Sequence, residues 1–200
     1  DKNYLQAVRK RCDETRTLLV FDEIQTGCGR TGNLFRFLTE HVIPDILLVG
    51  KAFGGGLPLA AFISSNSIMQ VLQHNPVLGH ITTFGGNALC CAAGLASLQE
   101  IIAQKLYFEV EQKAQLFIAL LQHPAIQKIN NCGLLMAVYL DSFEQLWKVI
   151  QECLHQGLIT DWFLFANNCM RIAPPLIISE EEIRASCAII LSALNKIYTA

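Results

Sequence analysis

A lysine and an aspartate in this sequence each follow a short run of apolar residues. Asp22 ends the run Leu18-Leu19-Val20-Phe21, and Lys51 comes directly after Ile46-Leu47-Leu48-Val49-Gly50. Continuous apolar runs of this kind are typical of parallel strands that are covered on both faces. Because ligands of open α/β sheets bind at the carboxyl ends of the strands, we expect both side chains at one site. A carboxylate that can hold a ring nitrogen and an amine that can attack a carbonyl carbon indicate pyridoxal phosphate (PLP) chemistry.

Lys51 is followed by a long segment without charge. No Asp, Glu, Lys or Arg occurs from Ala52 through Gln99, and the segment opens with Gly54-Gly55-Gly56 close behind the lysine. The commoner role of a lysine at a strand end is that of a surface charge. A desolvated lysine, however, is held as the free amine that Schiff-base chemistry needs, and glycines let the backbone approach a flat ligand or turn sharply. We therefore expect the segment to be buried in protein, where it lines a site or a subunit interface.

The aspartate segment also fits a protein of a different class. Four apolar residues followed by Asp22-Glu23 match the Walker B pattern of P-loop ATPases, in which the aspartate holds Mg²⁺. Such an enzyme needs a G-x-x-x-x-G-K-[ST] loop as well. Here Gly50-Lys51 is followed by Ala52, and no glycine occupies position 45. A P-loop ATPase fragment stays open as the alternative.

Several motifs surround the two residues and keep a fixed order along the chain. They are Asp22-Glu23-Ile24-Gln25-Thr26-Gly27, Gly29-Arg30-Thr31-Gly32, Pro44-Asp45-Ile46, Gly50-Lys51-Ala52 and Gly54-Gly55-Gly56-Leu57-Pro58. Together they resemble the signature of the class III aminotransferases, which have PLP fold type I and include acetylornithine, ornithine and 4-aminobutyrate aminotransferases. Thr82-Thr83-Phe84-Gly85-Gly86-Asn87 is similar to the phosphate-binding loop of that family, and Arg171-Ile172-Ala173-Pro174-Pro175-Leu176 to a motif of its C-terminal domain. The resemblance covers essentially the whole chain.

The resemblance implies how four residues would hold the cofactor. Asp22 would pair with the pyridine nitrogen and keep it protonated, so that the ring can accept electrons. Ile24 would pack on one face of the ring, and Gln25 would hydrogen-bond the 3′-oxygen. Lys51 would bind the cofactor aldehyde as a Schiff base, and would later carry a proton between the substrate carbon and the cofactor C4′ as general base and then acid.

The resemblance also implies residues for the phosphate and for the substrate. Thr83 would donate to the phosphate of the other subunit's cofactor, because the family builds its sites across the interface of a homodimer. Arg171 would lie near the substrate carboxylate or pair with a glutamate from outside this chain. Glu23 and Arg30 lie within the motifs, and the sequence assigns them no chemistry.

The implied reaction is a transamination in two half-reactions. An amino acid or ω-amino acid gives its amino group to PLP, and a 2-oxo acid, expected to be 2-oxoglutarate, then takes it. A racemase or aminomutase of the same fold would use the same lysine and aspartate, and a non-catalytic interaction module is a further alternative. The family's first half supplies a phosphate turn and an aromatic residue that stacks on the ring, and this sequence contains neither. We therefore expect the C-terminal half of a longer enzyme, which by itself binds PLP weakly and has little activity.

The residue pattern predicts the elements that position these side chains. Predicted strands are Leu18–Phe21, the run after Pro44-Asp45, Leu59–Ser65, Leu134–Leu140, Leu158–Phe165 and Met170–Ala173. Predicted helices are Tyr4–Glu14, Leu34–His41, Asn66–Gln73, Ala88–Ile102 with its continuation Glu109–Gln122, Phe143–His155 with Gly157 as its C-cap, and a last one that starts at the capping box of Ser179 and Glu182.

This order predicts an α/β protein of PLP fold type I, like aspartate aminotransferase. Residues 1–105 would form the C-terminal part of a PLP-binding large domain with a mainly parallel sheet. Residues 106–200 would form a small C-terminal α+β domain.

Composition excludes several other classes of protein. The chain is 52% hydrophobic, yet no stretch of 18 apolar residues is uninterrupted, so no membrane span is predicted. The net charge is −2 and the basic residues are scattered, which argues against nucleic acid as a partner. The eight cysteines form no C-x-x-C pair, so we expect no metal site and reduced thiols in a cytoplasmic protein.

Overall fold

The computed structural model describes residues 3–198, which form two compact units. The first unit comprises the residues up to Gly29 together with Asn33–Lys105. The second unit comprises Arg30–Gly32 and the residues from Leu106 onward. The assignment of residues 1–105 and 106–200 to a cofactor-binding domain and a C-terminal domain stays a prediction.

The first unit combines helices with a short three-stranded sheet. Its helices are α1 (Tyr4–Thr15), α2 (Phe37–Glu40), α3 (Asn66–Met69) and α4 (Ala88–Ala103). Its strands are β1 (Val20–Asp22), β2 (Ile46–Val49) and β3 (Ala61–Ser64), and the order in the sheet is β1-β2-β3.

The sheet of the first unit is mixed rather than mainly parallel. Strand β1 runs parallel to β2, whereas β3 pairs with β2 in the antiparallel direction. A parallel pair needs a crossover of a dozen or more residues. Between Val49 and Ala61 the chain forms only a 3-10 turn (Lys51–Gly54) and a short loop, so β3 returns alongside β2.

A half-buried carboxylate, that of Asp45, forms hydrogen bonds at the start of the first two strands. Asp45, directly before β2, accepts hydrogen bonds from the Leu19 amide at 2.7 Å and from Arg9 Nη1 at 2.8 Å. The Leu19 amide, followed by the Arg9 side chain, lowers the pKa of Asp45 below its ordinary value. This carboxylate therefore joins α1 to the beginning of β1 and β2. Asp22 and Lys51 lie at the opposite ends of these strands.

The second unit is an antiparallel sheet covered by helices. Its strands are β4 (Lys128–Cys132), β5 (Leu135–Tyr139), β6 (Asp161–Phe163) and β7 (Ala166–Ile172), in the order β4-β5-β7-β6. Its helices are α5 (Val110–Leu120), α6 (Phe143–His155) and α7 (Glu180–Tyr198), and α7 packs against both others. Fully buried side chains from every helix and from β5 and β7 make one core, among them Phe117, Met136, Ile150, Met170 and Ile183.

Three features of the second half differ from the sequence prediction, and one of them is that β7 begins at Ala166 rather than at Met170. Helix α5 does not continue α4, because Lys105 takes a left-handed conformation (φ 52°) and a 3-10 turn at Leu106–Phe108 follows. Strand β4 was not predicted, since only Ile129 among its residues is a strongly β-forming apolar residue. It pairs with β5 across a tight turn at Gly133, which has φ 57°.

The predicted ends of the last two helices are confirmed. The Ser179 hydroxyl accepts from the Glu182 amide at 3.2 Å, and Glu182 Oε2 accepts from the Ser179 amide at 2.8 Å. Helix α6 ends at His155 as predicted, but its C-cap is Gln156 rather than Gly157, which has φ 87° and occupies the next position. Within residues 3–198, no helix combines the length and the apolar character needed to cross a bilayer.

The charge-free segment Ala52–Gln99 is largely exposed in this chain, although we expected it to be buried. Phe84 is 81% exposed and Val77 is 74% exposed. The first unit covers only part of the segment, chiefly around Gly54 and Gly94. That the remainder lines a subunit interface stays a prediction.

Candidate active site

The aspartate and the lysine follow two hydrogen-bonded parallel strands at the same edge of the sheet. Asp22 is the last residue of β1, and its Cα lies opposite Leu48 of β2. The Glu23 amide donates to the Leu48 carbonyl at 2.9 Å and extends the ladder by one bond. Lys51 lies two positions beyond Val49, the last residue of β2. The structure therefore brings the two residues to one end of the sheet, as the apolar runs predicted.

Lys51 has an unusual backbone conformation. Its φ of 49° lies in the left-handed region, which costs a residue with a Cβ on the order of 1–2 kcal/mol. Residues with such strain are concentrated at functional sites. The side chain is exposed, and within residues 3–198 its amine has no hydrogen bond or ion pair. The desolvation that we expected for this lysine does not arise from the part of the chain that the structure describes.

The turn after β1 presents Asp22 and places Ile24 next to Gly50, the residue before the lysine. Asp22 Oδ1 accepts from the Ile24 amide at 2.9 Å, which fixes the carboxylate and leaves Oδ2 without a hydrogen bond among the described residues. A Cβ built on Gly50 would lie 3.5 Å from Ile24 Cγ2, so this side chain packs beside the residue that precedes Lys51. Gln25 follows in the same turn and is exposed. Asp22, Ile24, Gln25 and Lys51 thus follow the ends of two paired strands, and we refer to these four residues as the cluster.

Glu23 has a structural role that the sequence did not reveal. Its side chain is 4% exposed and accepts from the amides of Arg36 at 2.6 Å and Phe37 at 2.7 Å. It also accepts from the Thr26 hydroxyl at 3.3 Å. The carboxylate therefore holds the ends of the loop between β1 and α2, and it faces into the unit rather than toward Lys51.

The glycines after Lys51 allow a close approach to α4. Gly55 has φ 59°, and a Cβ there would lie 2.5 Å from the Ala93 carbonyl oxygen. From the other side, a Cβ on Gly94 would lie 2.7 Å from the Phe53 carbonyl oxygen. From the sequence we expected the glycines either to approach a flat ligand or to turn the chain sharply, and the structure has the sharp turn. The surface that the glycines approach is helix α4.

Thr83 lies in the exposed loop before α4. Two successive turns form this loop: the Gly85 amide donates to the Thr82 carbonyl, and the Asn87 amide donates to the Phe84 carbonyl, each at 3.2 Å. The hydroxyl of Thr83 has no hydrogen bond with any residue in the range 3–198. The structure records no contact between Thr83 and the Asp22–Lys51 cluster, and its role toward a phosphate stays a prediction.

Arg171 belongs to the second unit and has a carboxylate partner within the chain. Its Nε donates to Asp161 Oδ1 at 2.8 Å, and its Nη2 donates to Asp161 Oδ2, which makes a bidentate pair across β6 and β7. The guanidinium carbon lies 6.0 Å from the centre of the Phe163 ring. Asp161 was not predicted as the partner of Arg171, because this pairing depends on the register between β6 and β7.

The same described residues contain no cluster of three or more His, Cys, Asp and Glu side chains that is placed to hold a metal ion. Burial raises the pKa of the Cys153 thiol to about 11, and that of Cys187 also to about 11. These two thiols are core residues of α6 and α7 and lie outside the cluster.

Comparison with known proteins gives a family and a fold. The model of the family described as aminotransferase class-III matches residues 1–194. A Bacillus anthracis aminotransferase has 30% identity and a TM-score of 0.89, with 98% of this chain and 48% of that one covered. The ornithine aminotransferase of Toxoplasma gondii, a structure with partial occupancy of PLP at its active site, has 33% identity and a TM-score of 0.87, with 98% and 47% covered.

The acetylornithine aminotransferase of Elizabethkingia anophelis is similar to the same degree. It has 33% identity and a TM-score of 0.87, and the match covers 98% of this chain and 50% of that one. The chain therefore spans about half the length of the structures that it matches. The fold predicted from the sequence, PLP fold type I, is confirmed, and the P-loop ATPase alternative gains no support.

Proposed function

Because this chain belongs to the class III aminotransferases, a PLP-dependent family, we propose that it carries the cofactor-holding strand ends of an enzyme that moves an amino group. The donor is an amino acid or ω-amino acid and the acceptor a 2-oxo acid, 2-oxoglutarate in our proposal. One observation carries this proposal: Asp22 and Lys51, whose amine has no hydrogen bond or ion pair within residues 3–198, follow neighbouring parallel strands at the same edge of the sheet.

The residues of the cluster fit PLP by their chemistry. Asp22 Oδ2 is left for a ring nitrogen, because Oδ1 is already bound by the Ile24 amide. Ile24 offers an apolar surface beside Gly50, the residue before Lys51, and Gln25 offers an exposed amide for the 3′-oxygen. The Lys51 amine is the group that bonds to the aldehyde carbon. When bound, the cofactor supplies an electron sink for the negative charge left on the substrate carbon after its proton is removed.

Each residue of the cluster then has one task. Asp22, held by a backbone amide, keeps the proton on the ring nitrogen by its negative charge. Lys51 Nζ would take the proton from the substrate carbon and return it at the cofactor C4′, a transfer that needs a free amine within reach of both atoms.

Thr83 and Arg171 complete the proposal at the phosphate and the substrate. Thr83, whose hydroxyl has no hydrogen bond within residues 3–198, donates to the phosphate of a second copy's cofactor in a homodimer. Arg171 presents the edge of its guanidinium that Asp161 does not occupy to the substrate carboxylate. A chain that spans about half of its relatives is expected to bind PLP weakly and to have little activity alone.

Covalent labelling tests the assignment of Lys51. The chain is incubated with PLP, reduced with borohydride and digested, and the modified peptide is identified by mass spectrometry. We expect the adduct on Lys51 and its loss, together with the visible absorbance, in Lys51→Ala. Lys10→Ala, which removes an exposed lysine of α1, is the matched control. Equal labelling of several lysines that is unaffected by Lys51→Ala would contradict the assignment.

A further inference from the structure

Three residues of the signature motif belong to a different unit from the residues on either side of them. Arg30–Gly32 belong to the second unit, although Gly29 before them and Asn33 after them belong to the first. Gly29 and Gly32 both have φ of 90°, a conformation that glycine adopts without strain. These glycines turn the chain at either end of the segment, so that its three residues join the second unit.

Arg30 uses both its backbone and its side chain in this unit. The Leu134 amide donates to the Arg30 carbonyl at 3.1 Å, and Arg30 Nη1 donates back to the Leu134 carbonyl at 3.4 Å. The same Nη1 donates to the carbonyl of Pro174. Burial lowers the pKa of the Arg30 guanidinium, but an arginine stays charged in proteins, so it is a permanent donor. One side chain thereby joins the start of β5 to the segment after β7.

The second unit is shaped to receive Arg30 and its neighbour. Thr31 is only 7% exposed. Gly133 lies under the segment: a Cβ there would be 2.7 Å from the Arg30 carbonyl oxygen and 2.9 Å from Thr31 Cα. Any other residue at position 133 would push the segment away, and the φ of 57° at Gly133 disfavours a side chain as well.

The Pro174 carbonyl lies three residues after Arg171, just beyond the end of β7. The chain leaves the sheet here, and cations hold its carbonyls in place. Arg30 holds Pro174, and Lys113 Nζ donates to the Leu176 carbonyl at 2.8 Å. The Ile178 amide closes the segment by donating to the Pro175 carbonyl at 3.1 Å. The chain just after the end of β7 is therefore held at the Pro174 carbonyl, three residues beyond Arg171.

We propose that Arg30 is a positioning residue for Arg171: it fixes the strand end from which Arg171 reaches the substrate carboxylate. The proposal rests on the proposed function in its assignment of a carboxylate to Arg171. It assigns a role to Arg30, the arginine of the signature motif to which the sequence assigned no chemistry.

Hydrogen exchange measures the positioning directly. Peptides covering residues 169–178 are compared in the wild-type chain, Arg30→Ala and Arg30→Lys. We expect exchange in Arg30→Ala to be on the order of tenfold faster, because a charge-assisted bond to a carbonyl is lost. Lysine keeps the charge but not the planar donor group, so its effect should be intermediate. Arg11→Ala, at an exposed arginine of α1, is the matched control and should have no effect.

Two further measurements link the exchange to Arg171 and to folding. Calorimetric titration with glutarate, a dicarboxylate that cannot react, reports carboxylate binding, and Arg171→Ala should abolish it. We expect Arg30→Ala to weaken glutarate affinity on the order of tenfold. The fluorescence of Trp147 and Trp162, both in the second unit, shows that this unit is folded. If Arg30→Ala unfolds it, Arg30→Lys and Gly133→Ala carry the test.

Each result decides the question. Exchange over residues 169–178 that is unchanged in Arg30→Ala overturns the proposal, and so does faster exchange with unchanged glutarate affinity. If the wild-type chain binds no glutarate, the proposed function loses its substrate residue. Faster exchange in Arg30→Ala would then still support the positioning of the strand end.

Discussion

Arg171 does not present an isolated positive charge, because Asp161 neutralises it through two hydrogen bonds. A substrate carboxylate that approaches this arginine also approaches the carboxylate of Asp161. The two anions repel each other, so Asp161 lowers the affinity for carboxylates while it orients the guanidinium. Substitution of Asp161 therefore measures whether its repulsion of a carboxylate or its orientation of the guanidinium has the larger effect on affinity.

Asp161→Asn is expected to strengthen the binding of glutarate several-fold, by about a factor of five. The asparagine oxygen can still accept from Arg171 Nε, whereas the competing charge is gone. Asp161→Ala removes both the charge and the orientation, and should bind glutarate more weakly than Asp161→Asn does. Calorimetric titration of both variants checks this order. Weaker binding in Asp161→Asn than in the wild-type chain would show that the charge of Asp161 assists the ligand.

Among the elements, the starts of β1 and β2 are joined by hydrogen bonds to Asp45, and the candidate site lies at the other end of these strands. Asp45 has a lowered pKa because the Leu19 amide, and after it Arg9, stabilise the charged carboxylate. A carboxyl whose pKa is lower in the folded state stabilises the fold above its ordinary pKa. The stabilisation is lost as the pH falls through the folded value.

The pH dependence of α1 docking follows from this shift. We expect the Leu19 amide to be protected from exchange at neutral pH and to lose protection as the pH falls below about 4, the ordinary pKa of an aspartate. Asp45→Asn, which has no charge to lose, should show weaker protection at neutral pH and little change in acid beyond the intrinsic exchange rate. Exchange corrected for that intrinsic rate measures both. Equal pH profiles for the two proteins would contradict a role for the charge.

The contact between α4 and the turn after Lys51 gives a second prediction at this scale. Gly94→Ala improves helix propensity by about 1 kcal/mol, so in an isolated helix it would stabilise. In this fold its Cβ would lie 2.7 Å from the Phe53 carbonyl oxygen, and the turn must move. We therefore expect faster exchange over residues 51–56 and less PLP adduct on Lys51. Gln99→Ala, an exposed position of the same helix, should change neither.

Sequence reasoning succeeded where a local pattern decides the structure. The apolar runs before Asp22 and Lys51 predicted two strand ends, and Ser179 with Glu182 predicted the start of α7. It failed where the decisive contact is distant in the chain. Strand β4 forms because β5 offers a partner edge, and its polar residues give no signal of their own. The pairing of Arg171 with Asp161 likewise depends on the register of a hairpin.

For the molecule as a whole, the first unit has an exposed apolar surface of the kind that a protein partner usually covers. Val71, Val77, Ile81, Phe84 and Leu89 are each more than 60% exposed and lie in one stretch of chain. Proteins rarely leave so many large apolar side chains in water. The homodimer that we propose would cover such a surface, and the absence of charge in this stretch suits an interface core.

Self-association of the chain should therefore depend on Phe84. We expect concentration-dependent association in sedimentation velocity, and a dissociation constant on the order of tenfold higher in Phe84→Ser, because a large side chain no longer leaves water. Phe165→Ser is the matched control, since that phenylalanine is fully exposed but lies in the second unit. A chain that stays monomeric at all concentrations, or an equal effect of the two substitutions, would argue against this surface.

The place of Arg30–Gly32 has a consequence for anyone who divides the gene. A clone that starts at codon 106 would encode every helix and strand of the second unit and still omit three of its residues. The Leu134 amide and the Pro174 carbonyl would lose their partner, and the space above Gly133 would be open to water. A soluble product would require those residues to be grafted back, for example as a short peptide added in trans.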